Sequence, residues 1–169
     1  MMAWNADTTR MPYKMHSEYL HKLYLKNELA QGKFKIRGHA LLLKDINTPI
    51  IAISTLKDHV APWESVYKIH DLTNSKVTFI LTGGGHNSGI ISEPGIHNRS
   101  YQILEHELTD APLTPEAWQE QAPHVDGSWW LAWEKWLADF AINKITPPKL
   151  GSNQYQILYD APGSYVLQQ

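Results

Sequence analysis

Cysteine is missing altogether from the 169 residues of this sequence. Its absence excludes a disulfide framework and a thiolate zinc site, and it also excludes a cysteine nucleophile supplied by this chain. Nine histidines are present, but none belongs to an H-E-x-x-H motif, and His16 and His21 are five positions apart and share a helix face poorly. We therefore expect no metal site.

Long apolar runs and an excess of one charge are also lacking. No stretch approaches the length of a transmembrane helix, and no charged-then-apolar leader points to secretion. Fifteen basic and 17 acidic residues give a formal net charge of -2, so the chain lacks the excess of basic charge that is typical of nucleic-acid-binding proteins. The expectation is a cytoplasmic protein that binds no nucleic acid.

The sequence does have a hydrophobic content of 43% and seven tryptophans, enough for one domain with an aromatic-rich core. Its most informative stretch is 48–91. There, apolar β-branched runs at 49–54 and 77–81 each have the composition of a strand buried on both faces. A helix that starts at Pro62 lies between them, so the stretch predicts a βαβ unit.

An acid and a histidine follow these two strands. Asp58 comes just after the first strand, and His86 comes just after the glycines at 83–85 that end the second. Parallel strands place their chemistry beyond their carboxyl ends, so we expect both side chains at one edge of the sheet. Considered singly, each residue has a purely structural alternative. Asp58 could be a helix cap or turn former, and the glycines before His86 could simply allow a tight turn with positive φ. In this order, however, they match the acid and histidine of an α/β-hydrolase triad.

The nucleophile of such a triad is not evident. It belongs upstream of the acid, in a G-x-S-x-G elbow or the cysteine version of it, and nothing before Asp58 has that form. Ser17 and Ser54 lack flanking glycines. Gly83-x-Gly85-x-x-Ser88 approaches a dinucleotide-binding fingerprint, but its third position is serine and it comes late in the unit.

Two motifs narrow the comparison to one family. Residues 57–63 read K-D-H-V-A-P-W, and residues 84–90 read G-G-H-N-S-G-I. They resemble the C-terminal catalytic region of the poly(3-hydroxyalkanoate) synthases, which are members of the α/β-hydrolase superfamily. Further motifs that resemble this family follow in the same order, at 4–12, 24–29, 127–130 with Trp133, and 161–166. The resemblance covers essentially the whole chain but only the back part of a synthase, so we interpret the chain as a fragment that starts within a domain.

The resemblance implies a fold and a division of the chain. We expect an α/β protein in which residues 46–150 form the C-terminal half of an α/β-hydrolase core, with parallel strands and flanking helices. Residues 1–45 would be a partial cap or lid, for which a surface helix packed on the sheet is the alternative. Residues 151–169 would be a C-terminal tail.

The resemblance also implies acyl transfer by covalent catalysis. An upstream cysteine thiolate, activated by His86, would attack the thioester of an (R)-3-hydroxyacyl-coenzyme A. A hydroxyl would then take the acyl group and lengthen a polyester, and Asp58 would either orient His86 or act on that hydroxyl directly. His59, Trp63 and Asn87 are candidates for substrate contact or for support of the triad, with a structural role as the alternative for His59. No cofactor is expected beside the thioester substrate.

The expected partners are the thioester, the polyester chain, and either a second copy or a complementing N-terminal half. The expected location is the cytoplasm or the surface of polyester granules. Because this chain supplies no nucleophile, we expect no turnover from it alone. Two alternatives stay open, namely an esterase or depolymerase with an upstream serine elbow, and a non-catalytic module associated with granules.

Several helices and one hairpin are predicted elsewhere. Proline and capping signals place helix starts at Pro12, Pro62, Thr114 and Ser128, and a small hairpin is expected at 34–43. The first helix carries an apolar stripe made of Met15, Tyr19, Leu20 and Leu23. The last carries an aromatic stripe made of Trp129, Trp133, Trp136, Leu137 and Phe140. Stripes of this kind predict core burial, with a polymer-binding or dimer surface as the alternative for the second.

Overall fold

The fold is given by a computed structural model, which describes residues 8, 10–160 and 163–164. Most of the family-like motifs at 4–12 and 161–166 therefore lies outside the described residues. The chain forms two compact units, residues 1–136 and residues 137–169. The predicted functional division at residues 45 and 150 stays a prediction.

The first described part of the chain combines helical segments with a small hairpin. Its elements are α1 (Tyr13–Glu18), a π-helical segment (Tyr19–Leu25), β1 (Lys35–Ile36), β2 (His39–Ala40) and a 3₁₀ turn (Leu43–Asp45). The predicted helix after Pro12 and the predicted antiparallel hairpin are both present. The apolar stripe of this helix is not buried, however, because Met15 and Tyr19 are 58% and 48% exposed.

The remaining elements build one mixed sheet with flanking helices. They are β3 (Ile50–Thr55), α2 (Trp63–Tyr67), α3 (Ile69–Leu72), β4 (Val77–Thr82), β5 (Ser100–His106), α4 (Pro115–Gln121), β6 (His124–Asp126) and α5 (Trp129–Asp139). The strand order is β3-β4-β5-β6. The β3–β4 pair is parallel and runs from Ile50 opposite Val77 to Thr55 opposite Thr82, which confirms the predicted βαβ unit.

The second half of the sheet is antiparallel. β5 pairs with β4 and β6 pairs with β5, both in antiparallel register. Local patterns do not predict these strands, because polar residues such as Gln102 and Glu105 interrupt the apolar pattern of β5. Glu105 reaches Lys76 at 2.7 Å across the strand pair, so its charge is matched at the sheet surface. The parallel arrangement therefore holds for β3 and β4, and the sheet as a whole is mixed.

Aromatic side chains pack on both faces of β4, whose six residues are all buried. On one face, Phe79 and Leu81 pack with side chains of α2 and α4, among them Trp63, Tyr67 and Trp118. On the other face, Ile80 packs with Tyr101 and Trp129. This alternation follows from the two-residue period of a strand. The prediction that the α5 stripe is buried is confirmed for Trp129, which is 5% exposed. It is wrong for Trp133, which is 41% exposed.

No helix within the described residues is long and apolar enough to cross a membrane. In the second unit, most described residues are exposed. A local turn there is closed by the N–H of Ser152, which donates to the carbonyl of Tyr155 at 2.7 Å.

Candidate active site

The turn after β3 is organised around the carboxylate of Asp58. Its Oδ1 accepts the backbone N–H groups of Val60 at 2.8 Å and Ala61 at 2.9 Å, just before α2 begins at Trp63. An aspartate that accepts N–H groups two and three residues further on is a common former of turns. Asp58 therefore forms a turn, which was the structural alternative to a catalytic role. The turn uses only one of the two carboxylate oxygens, Oδ1.

The histidine lies in the loop after β4, residues 83–92, which we call the histidine loop. Gly84 has φ +101°, a conformation that side chains disfavour. The N–H of Gly89 then donates to the carbonyl of Gly85 at 3.0 Å, and the N–H of Gly85 donates to Ser88 Oγ at 3.1 Å. These bonds close a turn over residues 85–89 and place His86 on the outside of it.

The two loops are joined to one another directly. Because β3 and β4 are parallel and in register, both loops leave the same edge of the sheet. The N–H of Leu56 donates to the carbonyl of Thr82 at 2.9 Å, and the N–H of Lys57 donates to the carbonyl of Gly84 at 3.0 Å. The ladder between the strands thus continues into the loops and fixes the distance between the acid and the histidine.

Asp58 and His86 form a hydrogen-bonded pair. His86 Nδ1 lies 2.8 Å from Asp58 Oδ2, the oxygen that is not used in the turn. An ionised carboxylate only accepts hydrogen bonds, so Nδ1 carries a proton, and in the neutral imidazole Nε2 is the nitrogen that accepts one. The side chain of His86 is 47% exposed, whereas that of Asp58 is 8% exposed. The acid therefore lies behind the histidine, and the histidine faces outward.

The hydrogen bonds to Asp58 also keep it ionised. The backbone N–H of Ala61, followed by the hydrogen bond from His86, lowers the pKa of Asp58 to about 2. The pair is thus an ionised carboxylate bonded to Nδ1 of an imidazole, which leaves Nε2 on the other side of the ring. This is the arrangement by which an acid fixes the tautomer of a general base and stabilises its charged form.

The other candidate residues occupy different environments. His59 is exposed beside the acid, and Asn87 is half-buried, with a backbone carbonyl that accepts the N–H groups of Ile90 and Ile91 at 3.2 Å each. Trp63 is 6% exposed and packs in the core against Tyr67, Phe79 and Trp118. It thus supports α2 just after the acidic turn. Substrate contact by these three residues stays a prediction.

Sequence reasoning missed the side chains that hold the histidine loop from outside. The indoles of Trp129 and Trp130 donate to carbonyls of that loop, whereas the stripe that contains Trp129 predicts core burial or, as the alternative, a polymer-binding or dimer surface. The G-S-W-W motif at 127–130 was the available signal, because an indole N–H donor usually has a hydrogen-bond partner when its ring is buried. As for metals, no three potential ligand side chains cluster in the part of the chain that the structure describes.

The fold and the pair together define a class of protein. A βαβ unit with an acid after its first strand and a histidine after its second, inside a mixed sheet with flanking helices, is part of an α/β-hydrolase fold. No protein-family model matches the sequence. Individual characterised proteins do match it, and they are poly(3-hydroxyalkanoate) polymerases.

Three relatives illustrate this similarity. The chain is 36% identical to the poly(3-hydroxyalkanoate) polymerase subunit PhaC of Rhizobium etli, over 99% of the chain and 26% of the relative. It is 36% identical to the poly(3-hydroxyalkanoate) polymerase of Methylorubrum extorquens, over 98% and 27%, and 34% identical to PhaC of Cupriavidus necator, over 98% and 28%. Over nearly all of its length the chain is similar to one segment of these polymerases, which confirms the resemblance, and it spans about a quarter of the length of these relatives.

Proposed function

We propose that this chain carries the general base and the orienting acid for the acyl-transfer reaction of a poly(3-hydroxyalkanoate) polymerase. The observation that carries the proposal is the 2.8 Å bond between His86 Nδ1 and Asp58 Oδ2, in a chain that matches such polymerases over nearly all of its length. The pair leaves Nε2 of a half-exposed imidazole available to a reacting group.

In the first step, His86 Nε2 takes the proton of a cysteine thiol, and the thiolate attacks the carbonyl carbon of a hydroxyacyl-coenzyme A thioester. The carbon–sulfur bond to coenzyme A breaks as the bond to the enzyme sulfur forms. The proton held by His86 passes to the departing thiolate, so free coenzyme A leaves and an acyl-enzyme remains. Asp58 stabilises the imidazolium during this exchange.

In the second step, a hydroxyl group attacks the acyl-enzyme. His86 removes the hydroxyl proton, a new ester bond forms, and the proton returns to the enzyme sulfur as it departs. Three features of Asp58 favour His86 as the base for this step. Both carboxylate oxygens already accept hydrogen bonds, and the side chain of Asp58 is 8% exposed. Its pKa near 2 also makes it a weak base at neutral pH.

The thiol in this scheme comes from outside the 169 residues, since the sequence contains no cysteine. The proposed substrates are an (R)-3-hydroxyacyl-coenzyme A and the end of the growing polyester. The proposed partner is the remaining polymerase region, either in a complementing polypeptide or together with a second copy. The proposed working location is the surface of a polyester granule.

A chimeric polymerase tests the proposal. In PhaC of Cupriavidus necator, the matching 28% of the sequence is replaced by this chain, and release of coenzyme A from (R)-3-hydroxybutyryl-coenzyme A is measured with a thiol reagent. We expect turnover by the chimera. His86→Ala should lower the rate by about 10²-fold to 10⁴-fold, the usual contribution of a general base.

The matched control is His97→Ala, which removes an exposed histidine at the far end of the loop between β4 and β5 and should leave the rate unchanged. The isolated chain should release no coenzyme A above the level of its own His86→Ala variant. Release by the isolated chain, or a chimera that tolerates His86→Ala as well as His97→Ala, would contradict the proposed role.

A further inference from the structure

The histidine loop is held by a four-residue segment far away in the sequence, Gly127–Trp130, which we call the tryptophan clamp. Trp129 Nε1 donates to the carbonyl of Gly89 at 3.2 Å, and Trp130 Nε1 donates to the carbonyl of Ile90 at 2.9 Å. The hydroxyl of Ser128 donates to the carbonyl of Ser92. Consecutive side chains of the clamp thus bind carbonyls along the second half of the histidine loop.

The clamp itself is anchored on the sheet. The side chain of Trp129 is buried against Ile80 of β4 and Tyr101 of β5. The N–H of Gly127 donates to the carbonyl of Arg99, just before β5, at 2.7 Å. Trp129 therefore presents its indole N–H from a buried position, and Trp130 follows it on the same helix.

Gly89 connects the clamp to the catalytic pair. While its carbonyl is bound by Trp129, its N–H donates to the carbonyl of Gly85 at 3.0 Å across the turn that carries His86. Its Cα also lies close to the ends of both parallel strands. A Cβ at this position would be 2.5 Å from Thr55 Cγ2 and 2.6 Å from the carbonyl oxygen of Gly83. Movement of Gly89 therefore moves the turn on which His86 is mounted.

We propose that Trp129 and Trp130 are positioning residues for His86. Because the imidazole is half-exposed, its bond to Asp58 is not enforced by packing around the ring and depends on where the loop backbone holds it. The two indole N–H groups set that backbone position. Their role in the reaction rests on the proposed function, whereas their effect on the Asp58–His86 pair can be measured without any turnover.

The test compares three tryptophan-to-phenylalanine variants of the chain. Trp129→Phe and Trp130→Phe each remove one indole N–H and keep an aromatic ring. Trp118→Phe is the matched control, because Trp118 is fully buried and its Nε1 has no hydrogen-bond partner among the described residues. All three variants lose ring volume, but only the first two lose a hydrogen bond to the histidine loop.

Two readouts report on the pair. The ¹⁵N shifts of His86 give the fraction of imidazole protonated on Nδ1, with Asp58→Asn as the reference for a broken pair. Amide exchange measured by mass spectrometry gives the protection of the loop and also applies to samples that associate. Trp129→Phe and Trp130→Phe should both shift the tautomer toward the Asp58→Asn reference. Loss of the buried Trp129 hydrogen bond should speed exchange in residues 83–92 by roughly tenfold, and loss of the exposed Trp130 bond should speed it less.

Trp118→Phe should lower global stability and leave both readouts at the level of the parent chain. The proposal is overturned if Trp129→Phe and Trp130→Phe change global stability alone, as Trp118→Phe does. If Trp129→Phe does not fold, the half-buried Trp130 provides the decisive variant. An altered tautomer in a chain whose chimera is inactive would uphold the positioning role and reject the proposed function, so the two failures are distinguishable.

Discussion

Replacement of Gly89 by alanine adds a single methyl group, but it should lower both the stability of the chain and the rate of the active site. The added Cβ would lie 2.5 Å from Thr55 Cγ2, which is about 1 Å closer than the separation at which carbon atoms attract one another. It would also lie 2.6 Å from the carbonyl oxygen of Gly83, so moving the Cβ away from Thr55 alone would not relieve the overlap. The backbone of the histidine loop must therefore shift by about 1 Å.

Such a shift has two consequences. Overpacking at a buried position costs about 1–3 kcal/mol of stability. A misplacement of about 1 Å in a catalytic group costs about 10²-fold in rate, because the reacting atoms are no longer aligned. The first effect is measured as the free energy of urea unfolding of the chain, and the second as coenzyme A release by the chimeric polymerase described above.

Gly83→Ala is the control from the same loop. Gly83 is not at positive φ, and a Cβ there would meet only the carbonyl oxygen of Ser100, at 3.9 Å. This variant should keep its rate, and its stability should stay near that of the parent chain. Equal behaviour of Gly89→Ala and Gly83→Ala in both assays would refute the reasoning that close packing of Gly89 holds His86 in place.

Three further predictions concern the acid and the sheet edge. Asp58→Asn should lower the chimera's rate by about 10³-fold to 10⁴-fold, because an amide can donate to His86 and favour the wrong tautomer; a loss below tenfold would count against Asp58 as the orienting acid. The pKa of Asp58 falls from 3.8 to about 2, so its stabilisation is complete above pH 3.8 and is lost as pH decreases through 2. The urea midpoint should therefore drop more between pH 5 and pH 2 in the parent chain than in Asp58→Asn, and equal slopes would contradict this. The outer edge of β3 has no strand partner in the described chain, so sedimentation should reveal self-association, whereas a sharp monomeric peak with a cooperative melt would argue against it.

Local patterns were sufficient for the central unit because each of its signals lies within a few residues. The apolar β-branched runs, Pro62 and the glycines at 83–85 identify two buried strands, a helix start and a turn without reference to the rest of the chain. The order of acid and histidine then followed from chain direction, since parallel strands end at the same edge. The observed pair of Asp58 and His86 agrees with that expectation.

Patterns failed where burial depends on distant partners. β5 mixes polar and apolar residues because one part of it faces aromatic cores and another part meets Lys76, and no local period records this. The aromatic stripe of α5 is likewise divided, with Trp129 under the sheet and Trp133 at the surface. A helical period identifies a face, but it does not say how much of that face another element covers.

The sequence by itself determined the βαβ unit and the order of the acid and the histidine, because these depend on residue type, order and short-range spacing, and its motifs carried the resemblance to the polyester synthases. The tertiary structure alone decided that the two oxygens of Asp58 serve two tasks, that Gly89 has no room for a side chain, and that two tryptophans about 40 residues away hold the histidine loop. These features are contacts between segments far apart in the chain. They exist only once the strands have paired and the helices have packed against them.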